Sequence, residues 1–238
     1  MTSVLLAVTG SDYWTLADGS KHPCGYWPEE LAVPHEVFRN AGLDITIATP
    51  HGVVPTADEA GFTPEMNGGS ETRGKEIRNY LDNISAELNS PAMVERVNHN
   101  DFDFIFVPGG HGPMEDLAES TEFGGLLRAM HLAGKPIAAV CHGPAALFSA
   151  RNDTDSWLFD GYQLTGFTNV EEGQVGFADR ASWLLEDRIK QNGGVFSSTD
   201  AWAAHVVVDR NLYTGQNPAS SQPLAEKLVA DLDRLSTS

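Results

Sequence analysis

The sequence predicts an α/β fold, an open and mostly parallel sheet flanked by helices on both faces with a small helical and loop insertion, and three observations lead to it. Short apolar runs alternate along the chain with runs of helical spacing. Two of the apolar runs, FIFV and PIAAV, are apolar at every position, as strands covered on both faces are. Each of these two enters a glycine-containing turn, the kind that opens onto the carboxyl edge of such a sheet, where ligands bind. With 238 residues, 41% of them hydrophobic, the chain can bury one large core. A single domain over 1–238 is expected, with an insertion or cap at about 52–100.

Taken in order, residues 3–8 read as a first strand that breaks at Thr9, Gly10 and Ser11; without basic residues before it, this is not expected to be a signal peptide. Residues 29–41 carry apolar positions at helical spacing and stop at Gly42, predicting the first helix. Residues 43–48 predict a second strand. Between 52 and 100 the pattern weakens into loop signals and then an acidic helical stretch, 71–88. Residues 104–107 form a strand entering PGGHG, and 136–140 a strand entering CHGPAALF. Further strands are expected at 162–167, 194–197, 205–208 and 212–214, and helices at 178–191 and 220–235.

Composition narrows the function classes. A formal net charge of -18 opposes phosphate backbones and anionic bilayers, so neither nucleic acid nor membrane is an expected partner. No apolar run approaches the roughly 18 residues that cross a bilayer. The two cysteines, Cys24 and Cys141, form no CxxC pair and no zinc spacing, which predicts no disulfide framework and a reduced, cytoplasmic setting. His22, His35, His51 and His99 are scattered without ligand spacing, and no metal site is expected. Cys24 reads as an unreactive loop thiol.

The residues with chemical potential gather at the turns. Cys141 stands where strand 136–140 reverses into a run that reads as a helix with Pro144 in its first turn. Unpaired N–H groups and the positive dipole end of that helix favour thiolate and predict a lowered pKa, and the reversal lifts the side chain over the sheet edge. The competing reading is a small core residue. His142 adjoins it. Glu29 and Glu30 open the first helix, where acids suit the dipole; Glu30, if it faces Cys141, is pushed toward its protonated form by the neighbouring thiolate and can then move protons. Gly109 and Gly110 permit close backbone approach, and their N–H groups with that of His142 are candidate oxyanion donors, with His111 lining the same pocket. The plain alternative is a tight turn. Of the acid pair in TGFTNVEE, either Glu171 or Glu172 could orient a catalytic histidine, the alternative being two solvated surface acids.

Together VPGGHG, AVCHGPAAL, the EEL-x-x-P helix start, TGFTNVEE and TGQNPASS, in order and spanning nearly the whole chain, resemble the ThiJ/PfpI superfamily, with its flavodoxin-like, class I glutamine-amidotransferase-like fold. Within it they are most similar to the short heat-shock-type branch described as glutathione-independent glyoxalase III. The resemblance implies a nucleophilic Cys141, His142 beside it, a proton-shuttling Glu30 four residues before Pro34, and Glu172 as the acidic partner, with Glu171 the alternative. Gly109 and Gly110 would supply backbone donors, and Trp202 with residues 217–220 would pack around the site. It further implies a cofactor-independent lyase acting on a small 2-oxoaldehyde such as methylglyoxal, and a homodimer. Two other classes use the same motifs: a stress-linked holding chaperone for unfolded-protein clients, which needs a broad exposed apolar surface and would find it in 52–100, and a cysteine peptidase, amidase or protein deglycase. Glu30 speaks against amide cleavage, which needs no second acid beside the thiol.

Overall fold

A computed structural model describes residues 2–236. The strands in chain order are β1 (Ser3–Ala7), β2 (Tyr13–Thr15), β3 (Lys21–Pro23), β4 (Asp44–Thr49), β5 (Ala92–Met93), β6 (Phe104–Val107), β7 (Ile137–Val140), β8 (Gln163–Leu164), β9 (Val195–Phe196), β10 (Val206–Asp209) and β11 (Leu212–Gly215). The helices are α1 (Pro28–Asn40), α2 (Arg73–Asn83), α3 (Ser85–Leu88), α4 (Gly112–Glu115), α5 (Thr121–Leu132), α6 (Asn169–Gln174), α7 (Leu185–Gln191) and α8 (Ser221–Ser236). Seven strands build the main sheet in the order β10-β11-β7-β6-β1-β4-β5, parallel except for the edge hairpin β10–β11. Every residue of β6, β7 and β11 is buried, which is why those runs show no polar alternation. Phe38 of α1 packs edge-on against Phe104 and Phe106 of β6, at 5.2 and 5.6 Å. The sheet is open and flavodoxin-like, as expected.

The chain leaves β1 toward β4 on one side and returns to β6 on the other, so connections diverge at the centre of the sheet. The segments after β1, β6 and β7 line a cavity at the carboxyl edge there, through Trp27, through Gly110 and His111, and through Cys141 and His142.

Several local expectations fail for identifiable reasons. Residues 162–167 and 194–197 form no part of the main sheet; only β8 and β9, two residues each, pair with one another in a separate parallel ribbon. Of 178–191 only α7 is helical. The preceding stretch is held in turns by Arg180 and Ala181, whose N–H groups donate to Phe177, while the Arg180 carbonyl accepts from Ala17. Helix α5 escapes detection because two glycines interrupt its apolar pattern. At Gly124 a Cβ would lie 2.0 Å from the Ser149 carbonyl oxygen, so close packing, not helix propensity, selects glycine there. Stretch 71–88 is helical but broken at Ile84 into α2 and α3. The segment after Cys141 is a 3-10 helix, Gly143–Ser149, rather than an α-helix. Strands β2 and β3, three residues each, are too short for periodicity to reveal.

Candidate active site

Cys141 follows the last residue of β7 with φ of 60°, a left-handed backbone that a non-glycine residue holds only under constraint. The constraint is visible. Its N–H donates to the Gly215 carbonyl of β11 at 2.9 Å, and its own carbonyl accepts from Phe167 at 2.9 Å. The elbow is therefore clamped from both neighbouring segments. The thiol is nearly enclosed but lines the floor of a cavity of about 680 Å³.

His142 Nδ1 lies 3.4 Å from the Cys141 sulfur, and its Nε2 lies 2.6 Å from Glu172 Oε2. The other Glu172 oxygen is 2.9 Å from His111 Nε2. Burial would raise Glu172, but the charge of His142 and hydrogen bonds from His111 and His142 hold its carboxyl well below the usual range. An ionised carboxylate only accepts, so both imidazoles carry hydrogen on Nε2. With its Nε2 hydrogen directed at Glu172, the His142 ring turns Nδ1 to the thiol, the arrangement a general base needs. Burial, then the adjacent His142, pushes the His111 pKa down against the opposing pull of Glu172, which favours the neutral ring.

Of the two adjacent acids, Glu172 reaches His142 and Glu171 does not. Glu171 forms a capping box with Thr168 at the start of α6, and its Oε1 accepts from the backbone N–H of Trp202 and the side chains of Gln216 and Asn217. One acid orients the histidine while its neighbour ties the 199–217 region to the site.

Glu30 is fully buried on the first turn of α1, while Glu29 beside it faces outward and pairs with Arg73 at 3.0 Å. Glu30 Oε2 accepts from Gly109 N–H at 2.7 Å; its Oε1 has no aligned partner. Burial pushes the Glu30 carboxyl well above its ordinary value, against opposing contacts from the Cys141 thiol and Gly109. Burial also pushes the Cys141 thiol up, and the charge and hydrogen bond of Glu30 push it further. This reverses the expectation of a thiol lowered by a helix end. The following helix is 3-10 and seven residues long, and removal from water outweighs its weak dipole. Burial is the leading cause for both groups, holding each toward its protonated form, and the Glu30 charge holds the thiol there further.

Gly109 is placed otherwise than expected: its N–H serves Glu30, not an oxyanion. A Cβ there would lie 2.6 Å from Glu30 Oε2 and 2.7 Å from the Val140 carbonyl. Gly110, with φ of 85° and lining the cavity, donates to no described residue, so its N–H and that of His142 are the available donors. His111 also lines the cavity, though its Nε2 is turned to Glu172. Trp202 stands at the rim rather than within the packing, 37% exposed. Cys24 is buried and does not line the cavity, and burial raises its pKa.

Sequence spacing missed His22, Asp58 and Phe177, which line the same cavity. Asp58 comes from the 52–100 segment, along with Ala60, Glu65, Met66 and Gly68. No local signal marks them, because only folding brings that segment over the elbow. His111, His142 and Glu172 also have ligand atoms all within 4.8 Å, a two-histidine, one-carboxylate set that linear spacing does not suggest. A metal could be held there only by displacing the hydrogens that both Nε2 atoms direct at Glu172. Among the described residues no helix is long and apolar enough to cross a membrane, and the large apolar side chains that 52–100 exposes are Val53, Val54 and Met93.

The profile of the DJ-1/PfpI family matches residues 25–231. Glyoxalase 3 of Candida albicans is 29% identical over 241 residues, 97% of this chain and 98% of that one. The glutathione-independent glyoxalase HSP31 of Saccharomyces cerevisiae is 29% identical over 233 residues, 95% and 96% of the two chains. The human glutamine amidotransferase-like class 1 domain-containing protein 1 is 40% identical over 141 residues, which span 59% of this chain and 64% of that protein. A crystal structure of glyoxalase III from Candida albicans superposes with a TM-score of 0.80 at 27% identity, covering 96% of each chain.

Proposed function

The chain belongs to the DJ-1/PfpI family, and we propose that it is a glutathione-independent glyoxalase, converting 2-oxoaldehydes such as methylglyoxal to 2-hydroxy acids on Cys141. The observation that carries this reading is the fully buried Glu30 carboxyl beside the elbow, where its Oε2, the Val140 carbonyl and the His142 nitrogen converge on Gly109, all within 2.8 Å of the point a Cβ there would occupy. The names of relatives aligned over nearly the full chain support it.

In the mechanism, His142 Nδ1 takes the thiol proton as Sγ bonds to the aldehyde carbon, and the resulting oxyanion is met by the N–H groups of Gly110 and His142 and then protonated by imidazolium, giving a hemithioacetal. Glu172 stabilises the imidazolium and keeps its orientation. Glu30, ionised by passing its proton to the ketone oxygen, removes the hydrogen on the former aldehyde carbon, forming an enediol, and returns it to the neighbouring carbon while His142 takes the hydroxyl proton of the first carbon; transfer of that proton through solvent restores the neutral Glu30 acid. The first carbon is oxidised to thioester level and the second reduced to an alcohol, so no external oxidant is required. Water then cleaves the thioester, releasing lactate from methylglyoxal and restoring the thiol. A residue fit for this shuttle must be neutral when substrate arrives and close to the reacting carbons, which matches burial of Glu30 against Gly109.

Lactate formed from methylglyoxal in glutathione-free buffer is the test. Cys141→Ala is expected to abolish it and Glu30→Gln to lower kcat by at least a hundredfold; undiminished turnover by either variant sinks the proposal. The amidase reading, which the Cys141–His142–Glu172 arrangement also serves, predicts instead that Glu30→Gln spares hydrolysis of small amides or activated esters.

A further inference from the structure

Resting on the glyoxalase reading, we propose that the cavity wall formed by Phe167, Phe177 and Trp202 is an aryl subsite, so that the protein acts preferentially on 2-oxoaldehydes whose ketone carries a flat aromatic group, with Trp202 determining this specificity. The first ground is size. A space of about 680 Å³ falls within the roughly 300–1,000 Å³ of pockets for drug-sized ligands, and a three-carbon aldehyde leaves most of it empty. Cys141 lines the cavity with Gly110 and His142, and Glu30 lies fully buried behind that wall, so a substituent on the ketone extends away from Glu30 into the body of the cavity.

The second ground is the wall itself. Phe167 lies against the His142 ring, with centroids 4.5 Å apart, and Trp202 meets Phe167 edge-on at 5.6 Å. An aromatic row thus runs from the catalytic histidine to the rim. Phe177 packs on His22 at 4.4 Å and on His111 at 5.2 Å. Edge and face of such rings favour another ring beyond simple area burial.

The third ground is how Trp202 is held. Its φ is 67°, a conformation disfavoured for a bulky residue, yet the side chain is exposed enough that core packing does not account for it. The backbone N–H donates to Glu171 at 2.8 Å and the indole N–H to Gln174 on the same helix. Glu171, adjacent to the acid that orients His142, therefore fixes the indole at the mouth of the cavity.

Calorimetry on the parent protein with two unreactive analogues, 2-hydroxyacetophenone and hydroxyacetone, provides the test. The aromatic analogue is expected to bind at least tenfold tighter, and Trp202→Ala to erase most of that difference; Phe177→Ala serves as the second variant should the first lose its fold by circular dichroism. In parallel, kcat/KM for phenylglyoxal is expected to exceed that for methylglyoxal about tenfold, with the ratio falling toward one in either variant. Equal binding of the analogues, or a preference that survives both substitutions, overturns the subsite. Analogue discrimination without turnover of either aldehyde would leave the subsite standing and remove the glyoxalase reading.

Discussion

At the scale of single residues, the charge states of Glu30 and Cys141 depend on one another. Glu30 raises the thiol pKa by charge and hydrogen bond, so Glu30→Gln, which keeps an acceptor for Gly109, should shift the midpoint of iodoacetamide alkylation at Cys141 to lower pH even as turnover falls. An unchanged or higher midpoint would contradict the coupling. The stability effect has a definite sign. A carboxyl whose folded pKa is raised contributes fully below its unfolded value and loses that contribution as pH rises through the folded one. Above the ordinary glutamate range the acid therefore weakens the fold, and Glu30→Gln should melt at higher temperature than the parent, by a margin that grows between pH 5 and 8. Glu172 behaves oppositely: its depressed pKa gives stability present above the unfolded value and lost as pH falls. Removal of one of its two N–H donors by His111→Ala should lower kcat about tenfold with little change in KM. His111→Gln, which can still donate, should recover most of the loss.

At the scale of elements, each functional side chain is set by the end of a strand or helix. Thr168 accepts from Glu171 N–H at 3.1 Å and caps α6, which carries both acids. Thr168→Ala should cost about 1 kcal/mol in denaturant unfolding and also disturb the site, because α6 presents Glu172 to His142 and Glu171 to Trp202. Gly109→Ala inserts a Cβ between Glu30 and the Val140 carbonyl. Backbone at 2.7 Å cannot yield as a flexible side chain does, so a loss of about 1–3 kcal/mol is expected, together with activity. A variant as stable and active as the parent would mean that this turn moves freely. Element boundaries were legible where apolar runs were long and uniform, as in β1, β6, β7 and α1. They were not legible at β8, β9 and the 178–184 turns, where tertiary hydrogen bonds replaced local preference.

At the scale of the molecule, the formal charge of -18 places unscreened repulsion across a fold of this size. Melting temperature should rise by a few degrees from 10 to 150 mM NaCl, as the Debye length falls from about 30 to about 8 Å; a flat response would show that the acids are already paired. The 52–100 segment bears on both function and architecture. It joins the main sheet only through β5 at its edge, yet it supplies Asp58 and Met66 to the cavity above Cys141 and ties to α1 through Arg73 and Glu29.

The sequence alone determined the parallel sheet, the elbow at Cys141 and the motifs that carry Glu30, Gly109, Gly110 and His142, because these depend on apolar runs and turn residues adjacent in the chain. Only the tertiary structure decided between Glu171 and Glu172, directed the Gly109 N–H to Glu30, turned His111 onto Glu172, raised rather than lowered the thiol pKa, and brought His22, Asp58 and Trp202 to one cavity. Each of these outcomes depends on burial and on which donor meets which acceptor across the fold, quantities fixed by distance through space and not by position along the chain.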